Sequence, residues 1–327
     1  MRSPHFDRQT LLRFAAALLG VLAALAVLVA IPLLTHRTPV PEPRYAEQTP
    51  RPTETPAPTQ DPEELLRPDP LEPVADDELQ TLLDTFLDEH PGNWDICVHN
   101  LSSGKFASAS TQEGEPMISA SLIKLFIMGA AYEEFQKGSV SYWDYIGPVR
   151  KMIVISDNYS ANNVIMRLGG GDNEAGFALV NDFAESIGCT GTSLNRTMLD
   201  TNSGLENYTT AEDCAKLLER IYRLQLISPQ YSSEMLETLK AQLINDRIPA
   251  GLPQGTICAH KTGDLTGVCC ADAGLVFSPS ADYILCVINN GSEDNAAAVE
   301  SIVALSSQVY AFFNPTEPET EEVLEEP

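Results

Sequence analysis

Ser121-Leu122-Ile123-Lys124 heads a mostly apolar run that reads as a helix over 121–137, stopped by Gly138. Three residues apart on a helix, the hydroxyl and the amine stack on one face. A lysine held among apolar side chains has a lowered pKa. Its neutral amine can take the proton of a neighbouring serine and so make a nucleophile. The spacing by itself carries little, because Ser102-Ser103-Gly104-Lys105 repeats it in what reads as a hairpin turn, where both side chains are solvated. The apolar setting is what singles out Ser121 and Lys124.

Upstream of this run, 76–89 has Leu79, Leu82, Leu83 and Phe86 at helical spacing and ends at His90-Pro91-Gly92. Two strands follow, 94–101 and 106–110, joined by the turn at 102–105. Downstream, helices are predicted over 156–168 and 177–187, and another opens at Thr209-Thr210-Ala211-Glu212, a capping-box pattern, and runs to Leu224. Strands are predicted at Lys261, over 273–277 and over 283–289. A last helix over 295–313 puts Ala298, Ile302, Leu305, Val309 and Phe312 on one face. Helix, two strands, a helical middle, three strands and a helix make an α+β chain. Such an order pairs strands from both ends in one antiparallel sheet and leaves the central helices as a separate lobe, with chemistry expected between them.

Two further motifs point to that cleft. Ser156-Asp157-Asn158 sets a hydroxyl and a carboxamide two residues apart at a helix start, where the aspartate can cap the turn. Lys261-Thr262-Gly263 opens a strand with a cation, a hydroxyl donor and a glycine that lets a backbone or a ligand approach. Over roughly 90–313 the set resembles the class A β-lactamases and the related penicillin-binding serine acyltransferases. The resemblance implies an antiparallel five-stranded sheet flanked by helices plus an all-helical lobe. It also implies roles. Ser121 would be acylated, Lys124 would be its general base, and Ser156 would relay a proton to the departing nitrogen. Asn158 would hold the substrate's amide side chain, and Lys261 and Thr262 its carboxylate, beside Gly263. The backbone N–H groups of Ser121 and Asp264 would form the oxyanion hole. The substrate class implied is a β-lactam or a peptidoglycan-peptide-like small molecule, and no metal or organic cofactor is needed for serine acyl transfer.

The chain departs from that family in two places. Class A enzymes activate the hydrolytic water with the glutamate of a Leu-x-Arg-x-Glu pattern. Here the stretch is Leu194-Asn195-Arg196-Thr197-Met198, and methionine cannot take a proton. Asp200 is the nearest carboxylate and either substitutes in a rearranged loop or only closes a turn; Glu206 is a weaker candidate. On the strand where many class A enzymes carry an arginine for the substrate carboxylate stands Asp282-Tyr283, which leaves that task to Lys261, or to Arg150 or Lys151 reaching in.

The flanks speak of compartment. The 21 residues 14–34 carry no charge, long enough as a helix to cross the roughly 30 Å hydrocarbon core. Arg2, Arg8 and Arg13 precede them against Asp7, which keeps the short N-terminus in the cytoplasm and exports the rest. The length favours an uncleaved single-pass anchor in the cell membrane, with 1–37 as tip and anchor, over a cleaved signal peptide. Residues 38–75 hold eleven prolines and read as a semi-rigid extracellular spacer; 76–314 form the folded domain and 315–327, with six glutamates and no base, an acidic disordered tail.

Net charge is −26, which argues against a nucleic-acid partner. The seven cysteines sit mostly in apolar strand-like contexts and read as small buried residues, with no disulfide assigned. The domain is expected to be monomeric. Three functions compete: a β-lactamase that hydrolyses its acyl-enzyme, a penicillin-binding peptidase or other acyl hydrolase that releases it poorly, and a non-catalytic wall-associated binding or sensor module.

Overall fold

The computed structural model describes residues 73–112, 114–293 and 295–315, so the anchor, most of the spacer and nearly all of the acidic tail lie outside the described residues. The described chain is built on a mixed sheet of six strands. In chain order these are β1 (Val74–Ala75), β2 (Asn93–Asn100), β3 (Lys105–Ser110), β6 (Ile257–Leu265), β7 (Cys269–Phe277) and β8 (Tyr283–Asn290), in spatial order β1-β3-β2-β8-β7-β6. Two more short strands, β4 (Met117–Ile118) and β5 (Tyr208–Thr209), pair with each other. Five strands of the large sheet are mutually antiparallel, as expected; the sixth, β1, adds a parallel edge through Val74 opposite Lys105. Two residues after a proline-rich stretch are too short for any period to show, so this edge has no sequence signal.

Period-two alternation assigns each strand residue to a face. Ile96, Val98, Leu285 and Val287 pack on one side against α1 (Asp77–Glu89) and the C-terminal helix α8 (Asn295–Phe313). Cys97, Ala273, Ile284 and Cys286 face the other side, toward the helical middle. The seven cysteines are all free; six are buried and Cys258 is half-buried. Helix α8 is long and apolar enough to cross a membrane, but here it lies on the sheet with Ala298, Ile302, Leu305, Val309 and Phe313 buried.

The helical middle contains α2 (Ile123–Lys137), α3 (Tyr142–Val154), α4 (Asn158–Leu168), α5 (Asn173–Ser186), α6 (Ala211–Tyr222) and α7 (Pro229–Lys240). Two of these, α3 and α7, fall outside the predicted helices, although Ser228 followed by Pro229 at the start of α7 is a capping residue with proline at the first helical position. Pro148 inside α3 cannot donate to the carbonyl of Asp144 four residues back, and Arg167 Nη1 donates to that carbonyl instead, at 3.0 Å. Long-range repair of this kind is invisible to local periodicity. Other helices start at side-chain caps, as where Asp76 accepts from the N–H of Glu78 and Leu79, and Thr210 from that of Asp213.

Helix α2 is buried on nearly every side, and Gly129 within it faces Phe183 so closely that a Cβ would overlap the ring. Gly129→Ala is therefore expected to destabilise the domain by about 1–3 kcal/mol, read as a lower denaturant midpoint at unchanged slope.

Candidate active site

Lys124 sits on the first turn of α2 with its side chain wholly out of solvent. Its Nζ lies 3.0 Å from Ser121 Oγ, 3.1 Å from Ser156 Oγ, 2.6 Å from the Ser156 carbonyl and 2.7 Å from Asn158 Oδ1. The carbonyl and the carboxamide oxygen can only accept, so they take two N–H bonds of the amine. On a neutral amine this leaves the lone pair for a serine hydroxyl. Burial favours that neutral form and lowers the Lys124 pKa to about 7, with Asp157 the opposing influence.

Ser121 does not open an α-helix, as its sequence context predicts, but sits in the single 3₁₀ turn Ala120–Leu122 that leads into α2. Ser156 occupies the junction between α3 and α4 with φ at +55°, a left-handed backbone that non-glycine residues rarely adopt. Asp157 holds this junction as the N-cap of α4, accepting from the Ser160 N–H at 2.7 Å. The turn thereby brings the Ser156 hydroxyl and carbonyl, and then the Asn158 side chain, onto Lys124.

From the sheet, Lys261 on β6 donates to Ser156 Oγ at 2.9 Å and to the Thr262 carbonyl at 2.6 Å. It too is wholly buried, and burial beside the Lys124 amine pulls its pKa well below the ordinary lysine value. Strand β6 is the sheet edge nearest the Ser121 turn. Gly263 makes the approach possible, since a Cβ there would stand 3.0 Å from the Ser119 carbonyl. Behind the strand, buried His260 bonds Asp272 Oδ1 at 2.9 Å through Nδ1 and Asn245 Oδ1 at 2.9 Å through Nε2.

These groups back a cleft of about 160 Å³ whose lining includes Ser121, Asn158, Arg196, Met198, Glu206 and Asp264. A larger cavity, about 610 Å³, lies elsewhere, beside Asp84, Asp95 and Lys216, and holds none of this chemistry. Ser121, Lys124, Ser156, Asn158 and Lys261 thus meet around one cleft, although they are spread over 141 positions of the chain. Lys261, Thr262 and Gly263 lie behind its wall, and Asp264 and Leu265 form the wall.

Met198 is pinned beside α4. Its N–H donates to Asn162 Oδ1 at 2.7 Å and its carbonyl accepts from Asn162 Nδ2 at 2.9 Å. Asp200 does not line the cleft; Oδ1 accepts from the N–H groups of Asn202 at 2.9 Å and Ser203 at 3.2 Å, and these bonds hold its pKa below the usual value. The carboxylate serves its own turn. Glu206 does line the cleft, but its Oε2 accepts from Arg196 Nε at 3.1 Å and Nη2 at 2.7 Å.

Three contributors escaped the sequence reading. Asn207 ties the loop down, its Oδ1 accepting from the Asn195 and Arg196 N–H groups while its carbonyl accepts from Ser119. Asn162 gave no signal beyond its place on a predicted helix. Arg247 is the arginine beside the Lys261 strand: only 3% of its side chain is exposed, and Nη2 donates to Asp264 Oδ2 at 2.5 Å. Arg150 and Lys151 do not reach the cleft; Arg150 is exposed and Lys151 pairs with Asp157. Asp282 accepts from the Tyr222 hydroxyl instead, at 2.8 Å.

The three motifs that meet here, Ser121 to Lys124, Ser156 to Asn158 and Lys261 to Gly263, are of the kind found in class A β-lactamases and penicillin-binding proteins. Residues 75–146 and 148–313 match the profile described as the Beta-lactamase enzyme family, and the chain belongs to that family. Among solved structures it is similar to PBP-A, at 25% identity and a TM-score of 0.65, over 75% of this chain and 99% of that one. A point variant of PBP-A, solved as an acyl-enzyme complex with penicillin G, is 26% identical at a TM-score of 0.65, over 75% of this chain and 100% of that one. A β-lactamase from Sphaerobacter thermophilus shares the fold at 20% identity and a TM-score of 0.62, over 72% of this chain and 98% of that one. No curated protein matches the chain in sequence.

Proposed function

We propose that the protein is an extracytoplasmic serine acyl hydrolase, held to the cell membrane by residues 14–34, which forms an acyl-enzyme on Ser121 with β-lactams and with an ester or amide of its own and releases it slowly. The observation that carries this reading is the continuous chain Ser121–Lys124–Ser156–Lys261, each link between 2.9 and 3.1 Å. Ser121 Oγ attacks the carbonyl carbon while its proton passes to Lys124 Nζ. As the tetrahedral intermediate collapses, the C–N bond breaks and Ser156 Oγ gives its proton to the departing nitrogen, regaining one from Lys124. The N–H groups of Ser121 and Asp264 receive the oxyanion. Asn158, whose Oδ1 accepts from Lys124, has its amide Nδ2 left for the substrate side chain.

Slow release rests on Met198. Two bonds between the Met198 backbone and the Asn162 amide hold this residue in the cleft lining, where the resemblance calls for a water-activating carboxylate, and Asp200 is engaged in its own turn. This favours the penicillin-binding version of the function over rapid β-lactam hydrolysis. A time course of intact mass with benzylpenicillin tests it: an adduct that persists for hours is expected. An adduct that vanishes within minutes as penicilloate accumulates refutes slow release, and no adduct at all refutes the enzyme.

The pH profile follows from Lys124. Only the neutral amine accepts the Ser121 proton, and its pKa is lowered to about 7. Acylation is therefore expected to rise with pH through about 7 and level off above it, rather than climb toward 10; stopped-flow acylation rates between about pH 5 and 9 check this.

A further inference from the structure

The cleft is negatively charged where this family of chemistry would meet a carboxylate. Its charged lining consists of Arg196, Glu206 and Asp264, one cation against two anions, and Arg196 is already paired with Glu206. Arg247 is buried and does not line the cleft, and its Nη2 donates at 2.5 Å to Oδ2 of Asp264, which does. Asp246 Oδ1 takes Nη1 at 2.9 Å, and Nε donates to Cys270 Sγ at 3.3 Å, so each guanidinium nitrogen already has a partner. Asp264 is itself tethered, by Asn295 Nδ2 at 3.3 Å, and about half of its side chain faces solvent. The remaining cation, Lys261, is spent on Ser156 Oγ and the Thr262 carbonyl, and its burial beside Lys124 weakens its hold on a proton.

We propose that the Asp264 carboxylate, seated on Arg247 at the cleft wall, sets the charge specificity of the site, so that esters and amides without a carboxylate beside the scissile bond are acyl donors in preference to those that carry one. An incoming carboxylate at this wall meets the Asp264 charge, while the guanidinium that could neutralise it is buried and already holds Asp264; like charges repel, and more so where the wall is partly desolvated. A neutral or cationic group in the same place meets no such opposition, and a cation gains Asp264 as a partner. Carboxylate-ended peptides, the D-Ala-D-Ala type included, are then the disfavoured class. The role belongs to the side chain, whereas the oxyanion contribution of the same residue comes from its backbone N–H and survives substitution. This inference rests on acylation at Ser121.

The experiment compares benzylpenicillin with its methyl ester on the full-length chain, reading the rate of the Ser121 adduct by intact mass. The quantity of interest is the free-acid to ester rate ratio, in which the general reactivity of the ring cancels. Asp264→Asn is expected to raise that ratio about tenfold or more, because it removes the facing charge and keeps the shape. Asp264→Ser is expected to do the same, and stands in if the asparagine variant does not fold. Glu237→Gln removes an equal charge from an exposed site on α7 outside the cleft and is expected to leave the ratio unchanged, which separates the local effect from the overall negative charge of the chain. A ratio unmoved by both Asp264 variants, or moved as much by Glu237→Gln, overturns the inference and leaves acylation standing. A wild-type chain that forms no adduct with either probe overturns the acylation reading, and this inference with it.

Discussion

Ser121→Ala is expected to abolish the benzylpenicillin adduct, with no residual covalent labelling in the time the wild type needs for full occupancy. The expectation rests on the surroundings of Lys124. Its amine has four oxygen neighbours within 3.1 Å, and of these only the Ser121 and Ser156 hydroxyls can yield a proton. Ser121 lines the cleft, and Ser156 bridges two lysines behind it. Removing the Ser121 hydroxyl leaves Ser156 as the one remaining candidate, held on a strained turn with its oxygen already taken by both amines. The alanine keeps the backbone and adds no bulk, so an unchanged melting temperature should accompany the loss. Undiminished labelling of the alanine variant, mapped by peptide mass, would place the nucleophile elsewhere and refute the mechanism.

Met198→Glu is expected to speed loss of the penicilloyl adduct by roughly 10²–10⁴-fold, the range that a positioned general base supplies. The backbone at 198 is held by both arms of the Asn162 amide, so the new carboxyl enters the cleft lining already occupied by the methionine, together with Ser121. Burial there raises a carboxyl pKa, which suits a group that must accept a proton near neutrality. The acylation rate should change far less, since Lys124 and Ser156 make no hydrogen bond to Met198. Single-turnover mass spectrometry separates the two steps. Release at the wild-type rate would mean that the missing carboxylate is not what limits turnover, and Glu206 would be the next group to test.

Most of what makes the cleft was legible because it is local. Ser121 and Lys124 are three positions apart, Asp157 caps the helix that Asn158 begins, and the Lys261 strand carries a glycine whose absent side chain admits the Ser121 turn. The apolar runs within 94–101 and over 283–289 likewise announced strands. What stayed hidden depends on contacts between distant segments. The helix through Pro148 is completed by Arg167, and the parallel edge at Val74 is only two residues long.

The sequence by itself determined the chemistry on offer: a serine and a lysine on one turn, a second serine under an aspartate cap, a second lysine on a strand, and methionine where a base would be sought. The first three follow from residue type and short-range backbone geometry, which a single stretch of chain carries, and the fourth from the resemblance to the class A pattern. Only the tertiary structure decided which charges the cleft presents. Arg247 is 14 positions before Lys261 and 17 before Asp264, on a segment without a regular period, and no local pattern shows that it would lie under the Asp264 carboxylate. Asp200 is the local counter-case, its carboxylate spent on N–H groups two and three residues on, the turn that its sequence already offered as one of two readings. Electrostatics depends on distance in space, and that distance exists only once the sheet edge, the loop around Met198 and the helical lobe are packed together.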